Sequence, residues 1–554
     1  MKTLNKLMIA ALAFPCMGIG AGLFTSCSDV QSTLVEYAED NELDDPNDTV
    51  YSLLGIMSKM QYLADRTILL GELRGDLVVP TDHATTDIYD LAMFQASTDN
   101  AYNKPSDYYA VIQNCNYYLA HVDADLAKRG QKVFEREIAA VHTFRAWTYL
   151  QLAINYGEIP FFTEPILKEK DADPNLYPKY GVQKVCDLLI EDMKPYIDAK
   201  YPLIGNGFGK DRFIYPRLLL ADLNLWAGHY EEAAQLYFDF LNDQGRSDYH
   251  AFGNARHTWS SYEFDGTSGG LSTTKLTTIA MDTVEFSGVV THLRDVFNST
   301  TNNSYYYQVT PSTALNQLSQ AQHYTFTYRN PTTLIEDTIS PPDTITYEPA
   351  NLRGDLRLNA KYEVGPNNTS NDTYSKIRQT ISSPAMESLA VNIYTVQQVY
   401  LRYVEALNLA GYPWEAFVAL KYGLYETTIN KHITADQQAR SLHLINFNQY
   451  NFTSENTMGI HSRGCGDVWA DTTYIIPECP TRQDSIDYVE NLLIDEMALE
   501  TDFEGVRFGD LLRYALRHDD TEWFAKKVAS RSGSLDPVLY DRIKVRKNWF
   551  LPLP

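Results

Sequence analysis

The sequence predicts a mainly α protein: about four helix pairs of the tetratricopeptide type form a scaffold, and a large irregular insertion of loops and short strands interrupts it. Three observations lead there. Residues 485–517 read as two helices joined through Phe503-Glu504-Gly505. Val489, Leu492, Leu493, Met497 and Leu499, then Val506, Phe508, Leu511, Leu512 and Leu516, recur there at helical spacing. Residues 223–237 and 400–420 share one helix-turn-helix spacing of glycine, aromatic and small residues, around Gly228, Tyr230, Ala233 and Ala234 and around Gly411 and Ala416. Residues 247–390 lack sustained helical periodicity and are broken at Gly269-Gly270, Pro341-Pro342 and Gly365-Pro366.

From its start, the chain carries Lys2 and Lys6 before an apolar run from Leu7 to about Phe24, which reads as a secretory signal. The run ends in Phe24-Thr25-Ser26-Cys27, which resembles a bacterial lipoprotein box with Cys27 as the lipidated residue, Phe24 standing where leucine is usual. Cys16 is the poorer candidate, since Pro15 precedes it and the apolar run would be cut short. Multiple acyl chains, palmitate among them, would make such an anchor effectively permanent at about 0.8 kcal/mol per buried methylene. Ser28, Asp29, Glu36, Glu39, Asp40, Glu42, Asp44 and Asp45 follow as an acidic tether.

A helical pattern over 50–70 leads into Arg74-Gly75-Asp76, a three-residue match too short to signal an adhesion partner, and into a polar loop over 80–90. Two helices are expected over 106–122 and 132–156. The second is apolar nearly all round, with Gly157 as its stop and Pro160 beyond. His142 and Arg145 within it read as a hydrogen-bonded core histidine and a paired arginine. Between the repeats, the insertion collects Trp259, Tyr262 and Phe264, and a strand-like run of Tyr305, Tyr306 and Tyr307. Three consecutive strand residues cannot share a face, so at most two of these tyrosines would meet one ligand.

Asp495, Glu496, Glu500, Asp502, Glu504 and Asp510 against Arg507, Arg513 and Arg517 raise the question of a catalytic carboxylate pair. A charged face with carboxylates and arginines three and four apart accounts for them better. No Gly-x-Ser-x-Gly, His-Glu-x-x-His, Gly-x-Gly-x-x-Gly or P-loop occurs, so no catalytic residue is assigned. The formal net charge is −25, and −27 once Lys2 and Lys6 leave with the signal, which makes nucleic acid a poor partner. Cys115, Cys186, Cys465 and Cys479 show no metal-ligand spacing. Cys465 and Cys479 are either bridged or free.

The order acidic-Glu-x-x-Leu-Glu, Phe-Glu-Gly-x-Arg and Asp-Leu-x-Arg-Tyr over 495–514 resembles the C-terminal signature of the SusD/RagB family of nutrient-binding surface lipoproteins. Met497 departs from the Glu-Arg that commonly opens it. Asn155-Tyr156-Gly157-Glu158-Ile159-Pro160 is similar to the family's Tyr-Gly-x-x-Pro turn, and 548–554 to its terminal motif.

The resemblance implies a non-catalytic lipoprotein, anchored in the outer membrane and facing outward, that binds an oligo- or polysaccharide and delivers it to a partner SusC-like TonB-dependent transporter. Peptide capture on the same architecture, as in RagB-like proteins, is the alternative, and a surface glycan-processing enzyme a more distant one. The implied division is 1–26 signal, 27–49 tether, 50–246 N-terminal scaffold, 247–390 ligand-bearing insertion, 391–520 C-terminal helices and 521–554 a segment packing back on the scaffold. No cofactor is expected, and nothing in the sequence indicates a structural calcium. Sugar recognition calls for flat rings with polar tips beside groups that hold hydroxyls. By region, the family's ligand face falls on Asp82, His83, Tyr102 and Asn103 with Trp259, Tyr262, Tyr305 and Tyr306.

Overall fold

The computed structural model describes residues 46–204, 209–242, 275–282, 288–297, 304–321, 389–447, 459–463 and 474–553, with short pieces between 326 and 374. The first helix, Pro46–Leu73, buries Leu53, Ile56, Met60, Leu63, Leu70 and Leu73 along one stripe. It begins at Pro46, so residues 46–49 of the expected tether are helical.

The scaffold is a row of neighbouring helices. Pro105–His121 packs on Glu135–Tyr156, which packs on Val182–Met193, then Pro216–Ala227, then Tyr230–Asn242. The chain leaves at Asn242, and Val396–Leu409 returns directly against Tyr230–Asn242 before contacting Pro413–Tyr422 and Arg482–Thr501. Each repeat turns where the sequence places its glycine: Gly228 has φ 86° and Gly411 φ 94°. Proline opens the helices at Pro105, Pro216 and Pro413, where its missing N–H costs nothing.

Glu135–Tyr156 is buried at 18 of its 22 residues, which makes it the centre of the N-terminal half. It starts three residues later than its periodicity suggests. Lys132 instead belongs to a small hairpin, Ala127–Lys128 with Gln131–Lys132, turned by Arg129 and Gly130 at φ 55° and 80°. At its other end Gly157 has φ 76°, and a Cβ there would press on the Phe550 ring.

Two short antiparallel pairings hold the insertion to the scaffold. Lys275–Met281 pairs with Leu389–Thr395, and Val78–Pro80 with Val309–Pro311. Tyr305, Tyr306 and Tyr307 form a turn before the second of these, with Tyr307 at φ 43°, rather than lying in a strand. The segment after residue 520 folds back: Trp549 is fully buried, and the Leu551 N–H donates to the Asn155 carbonyl at 2.9 Å.

The charged side of the two C-terminal helices, Arg482–Thr501 and Arg507–His518, is largely covered, although Asp495 and Arg517 stay partly exposed. Glu496, Glu500, Asp502, Glu504, Arg507, Asp510 and Arg513 are all buried, because these helices are covered on their polar side as well. Arg513 holds Glu405 at 2.6 Å and Asp510 at 2.7 Å. Arg357, from the insertion, holds Asp355, Glu496 and Glu500 at 2.6–3.0 Å. Arg74-Gly75-Asp76 is likewise internal: Arg74 and Asp76 are buried, and Asp76 is paired with Arg507.

Candidate functional site

Pairing Val78–Pro80 with Val309–Pro311 brings the loop after the first strand beside the tyrosine turn before the second. Gln308 locks them together. Its backbone carbonyl accepts from Thr81 N at 3.0 Å, its Oε1 from Thr85 N at 3.0 Å, and its Nε2 donates to Ser304 O at 3.3 Å. The Thr81 hydroxyl donates to the Tyr307 carbonyl, and Thr85 caps the helix Thr86–Ala92 by accepting from Ile88 N. His83 thereby stands edge-on to Tyr306, ring centres 4.8 Å apart at 72°, with Asp82 exposed next to it.

Tyr305 faces the other way along the same turn and stacks on His292, at 3.7 Å and 9°. Asp65 of the first helix fixes that histidine's backbone, accepting from His292 N at 2.8 Å and from the Thr291 hydroxyl at 2.6 Å. Burial raises the Asp65 carboxyl above its ordinary range despite these donors. Tyr102 is half-buried at this junction. Its phenol is pushed up to about 12, by burial first and then by Asp65, Tyr305 and Asp87.

Of the residues expected on a ligand face, His83 and Tyr306 therefore meet, Asp82 is the exposed chain neighbour of His83, and Tyr102 lies within the electrostatic reach of Tyr305. Asn103 is turned away: it is buried, and its Nδ2 donates to Ser97 O and Pro552 O, both at 3.0 Å. Trp259 and Tyr262 lie outside the described residues. His292, Gln308 and Asp65 join the site without having carried any motif; only the closeness of Gln308 to the tyrosine run marked its neighbourhood.

The other polar clusters have structural employment. His142 Nδ1 lies 3.0 Å from Asp192, whose carboxylate Arg145 also grips at 2.9 Å, as a core histidine and a paired arginine require. Burial works to raise the Glu496 carboxyl, but Arg357 and His461 outweigh it and leave it below the ordinary range. Among the described residues, Asp487, Glu490 and His518 bring potential metal-ligating atoms within 4.8 Å of one another, yet the Arg517 guanidinium already fills Glu490. Cys479 carries a free thiol that donates to Pro477 O; Cys465 lies outside the described residues.

A cavity of about 50 Å³ lies between Thr67, Trp147, Trp226, Tyr394, Arg402 and Glu504. It is large enough for a few waters, not for an oligosaccharide, and shares no lining residue with the Asp82–Tyr306 face. No described helix is long and apolar enough to cross a membrane.

The architecture is that of known structures. A SusD superfamily protein from Bacteroides thetaiotaomicron superposes with a TM-score of 0.56 at 16% identity, over 90% of this chain and 95% of that one. A second, from Bacteroides vulgatus, gives 0.56 at 12% over 90% and 92%. A structure described as a SusD-like carbohydrate binding protein from Bacteroides fragilis gives 0.53 at 13% over 86% and 88%. No family model matches the sequence, and no curated protein does. The chain has the SusD-like fold, mainly helical, in agreement with the resemblance read from its motifs.

Proposed function

We propose that this chain is a non-catalytic, lipid-anchored glycan-capture protein. In this reading Cys27 carries the acyl chains, the acidic tether lifts the domain off the outer face of the outer membrane, and a SusC-like TonB-dependent transporter takes the captured oligosaccharide. The observation that carries the reading is the locked junction of two loops from distant parts of the sequence, which displays His83 and Tyr306 as adjoining rings beside the exposed Asp82. Rings offer flat apolar area to sugar C–H faces at low entropic cost, and a carboxylate accepts from hydroxyls. A rigid helical frame presenting binding groups on loops is the usual division of labour. The fold shared with a protein described as carbohydrate binding supports the same assignment.

The test is calorimetry of the whole chain in detergent against plant, host and microbial glycans, beside a pool of casein-derived peptides. Saturable binding to one glycan class, weakened at least tenfold by His83→Ala and by Tyr306→Ala with an unchanged melting temperature, is the expected result. Binding of peptides alone would replace the ligand class, and turnover of a bound glycan on long incubation would overturn the non-catalytic assignment.

A further inference from the structure

The two segments that build the face are unequally charged. Residues 78–104 carry Asp82, Asp87, Asp90 and Asp99 against one cation, Lys104; residues 288–311 carry Asp295 and one cation, Arg294. Asp82 is exposed next to His83. Asp87 is half-buried, its Oδ1 accepting from Ala101 N at 3.1 Å, and it lies close enough to Tyr102 to act on that phenol together with Asp65 and Tyr305. Arg66, the cation beside Asp65, is taken up by Asp107. Among the described residues of these two segments, carboxylates thus outnumber cations.

We propose that this face selects glycans free of anionic substituents, neutral or amine-bearing, and that Asp82 and Asp87 are the groups that turn uronate- and sulfate-bearing glycans away. The inference rests on the glycan-capture reading and adds the ligand's charge class to it. Carboxylates serve a neutral sugar well, because they accept hydrogen bonds from its hydroxyls without requiring a partner charge. A uronate or sulfate seated on the same rings brings a second anion toward Asp82, the exposed chain neighbour of His83. At separations inside the screening length of roughly 8 Å at physiological salt, such repulsion survives in solution. An amine in the same place is attracted by the same field.

The experiment measures binding of the whole chain in detergent, at 50 and 500 mM NaCl, to laminarin, galactomannan and arabinoxylan, to chitosan oligosaccharides, and to polygalacturonate, hyaluronan and heparin. A neutral or amine-bearing glycan should bind, with every polyanion at least tenfold weaker at 50 mM salt and the gap narrowing at 500 mM. In the Asp82→Asn/Asp87→Asn double variant, which keeps an acceptor oxygen for Ala101, the ratio of neutral to anionic affinity should fall at least threefold. A polyanion bound more tightly than every neutral and amine-bearing glycan would overturn the charge selection while leaving glycan capture intact, and so would a ratio unmoved in the double variant. Silence from all seven probes would overturn glycan capture and the selection together.

Discussion

Asp76 and Arg507 stand 431 residues apart in sequence and are joined twice: Oδ1 accepts from Nε at 2.6 Å and Oδ2 from Nη2 at 3.0 Å. Both side chains are buried, and Arg507 also donates to Ile494 O at 2.7 Å. The Asp76 carbonyl accepts from the Ser312 hydroxyl at 2.6 Å, so one residue ties the C-terminal helices to the strand pair that carries the candidate face.

Removing one partner of such a pair strands the other charge in the interior. Asp76→Ala should therefore cost about 3–5 kcal/mol, read as a shift in the urea midpoint. The double change Asp76→Leu/Arg507→Met should cost less than Asp76→Ala alone, because Arg507 is then no longer stranded, while Arg531 loses its neighbouring carboxylate in both variants. A double variant less stable than the single one would contradict this account.

Stability should fall with acid in a definite window. Burial opposes ionisation of Asp192, yet His142 and Arg145 prevail and push its carboxyl down to about 2, from 3.8. A group whose folded pKa is depressed stabilises above its unfolded value, and that stability is lost as pH falls through the folded one. Asp192→Asn should accordingly flatten the decline in urea midpoint between about pH 5 and pH 2, over which the contribution of Asp192, on the order of 2 kcal/mol at neutral pH, is lost.

Gly71 and Gly505 touch backbone to backbone, and a Cβ on Gly71 would overlap the Gly505 carbonyl. Gly505 itself sits at φ 77°, with Thr67 O 2.5 Å from where its Cβ would lie. Gly71→Ala and Gly505→Ala should each lower the melting temperature by several degrees, with the apolar contacts around them otherwise unchanged; about 1–3 kcal/mol is the usual cost of overpacking.

Gln308 should matter to the face more than to the fold. Gln308→Leu leaves the Thr85 N–H without its acceptor and frees Ser304 O, at about 1–3 kcal/mol. Hydrogen exchange should quicken at Thr81 and Thr85 while the helix Glu135–Tyr156 stays protected. Uniform quickening across the molecule would show that Gln308 is a general core residue.

Thiol chemistry should separate three cysteines. Burial pushes Cys115 up to about 12 and Cys186 well above its ordinary value, so both remain protonated in the native state. Cys479, only half-buried, should be alkylated first at pH 8, as read by peptide mass spectrometry.

The repeat turns were legible because glycine at Gly228 and Gly411 announces a backbone that other residues resist. The partners of Arg507, Arg513 and Arg357 were not. Periodicity shows which side of a helix is apolar, but not that its polar side will also be covered, nor by which distant segment. The tyrosine run misled for a related reason: its composition favours a strand, while the hydrogen bonds of Gln308 impose a turn. Of the residues expected by region, His83 and Tyr306 stand as adjoining rings. His292 was not expected, since its place is set by Asp65, more than two hundred residues earlier.

Trp549 fills the core against Phe524, its carbonyl accepts from Arg74, and Leu551 caps the carbonyl of Asn155. Residues 549–551 leave the ribosome about 400 residues after Asn155. At ~5–20 residues per second, that is a delay on the order of 20–80 s. Throughout it the Arg74 guanidinium and the Asn155 carbonyl of the N-terminal helices lack the partners that Trp549 and Leu551 supply.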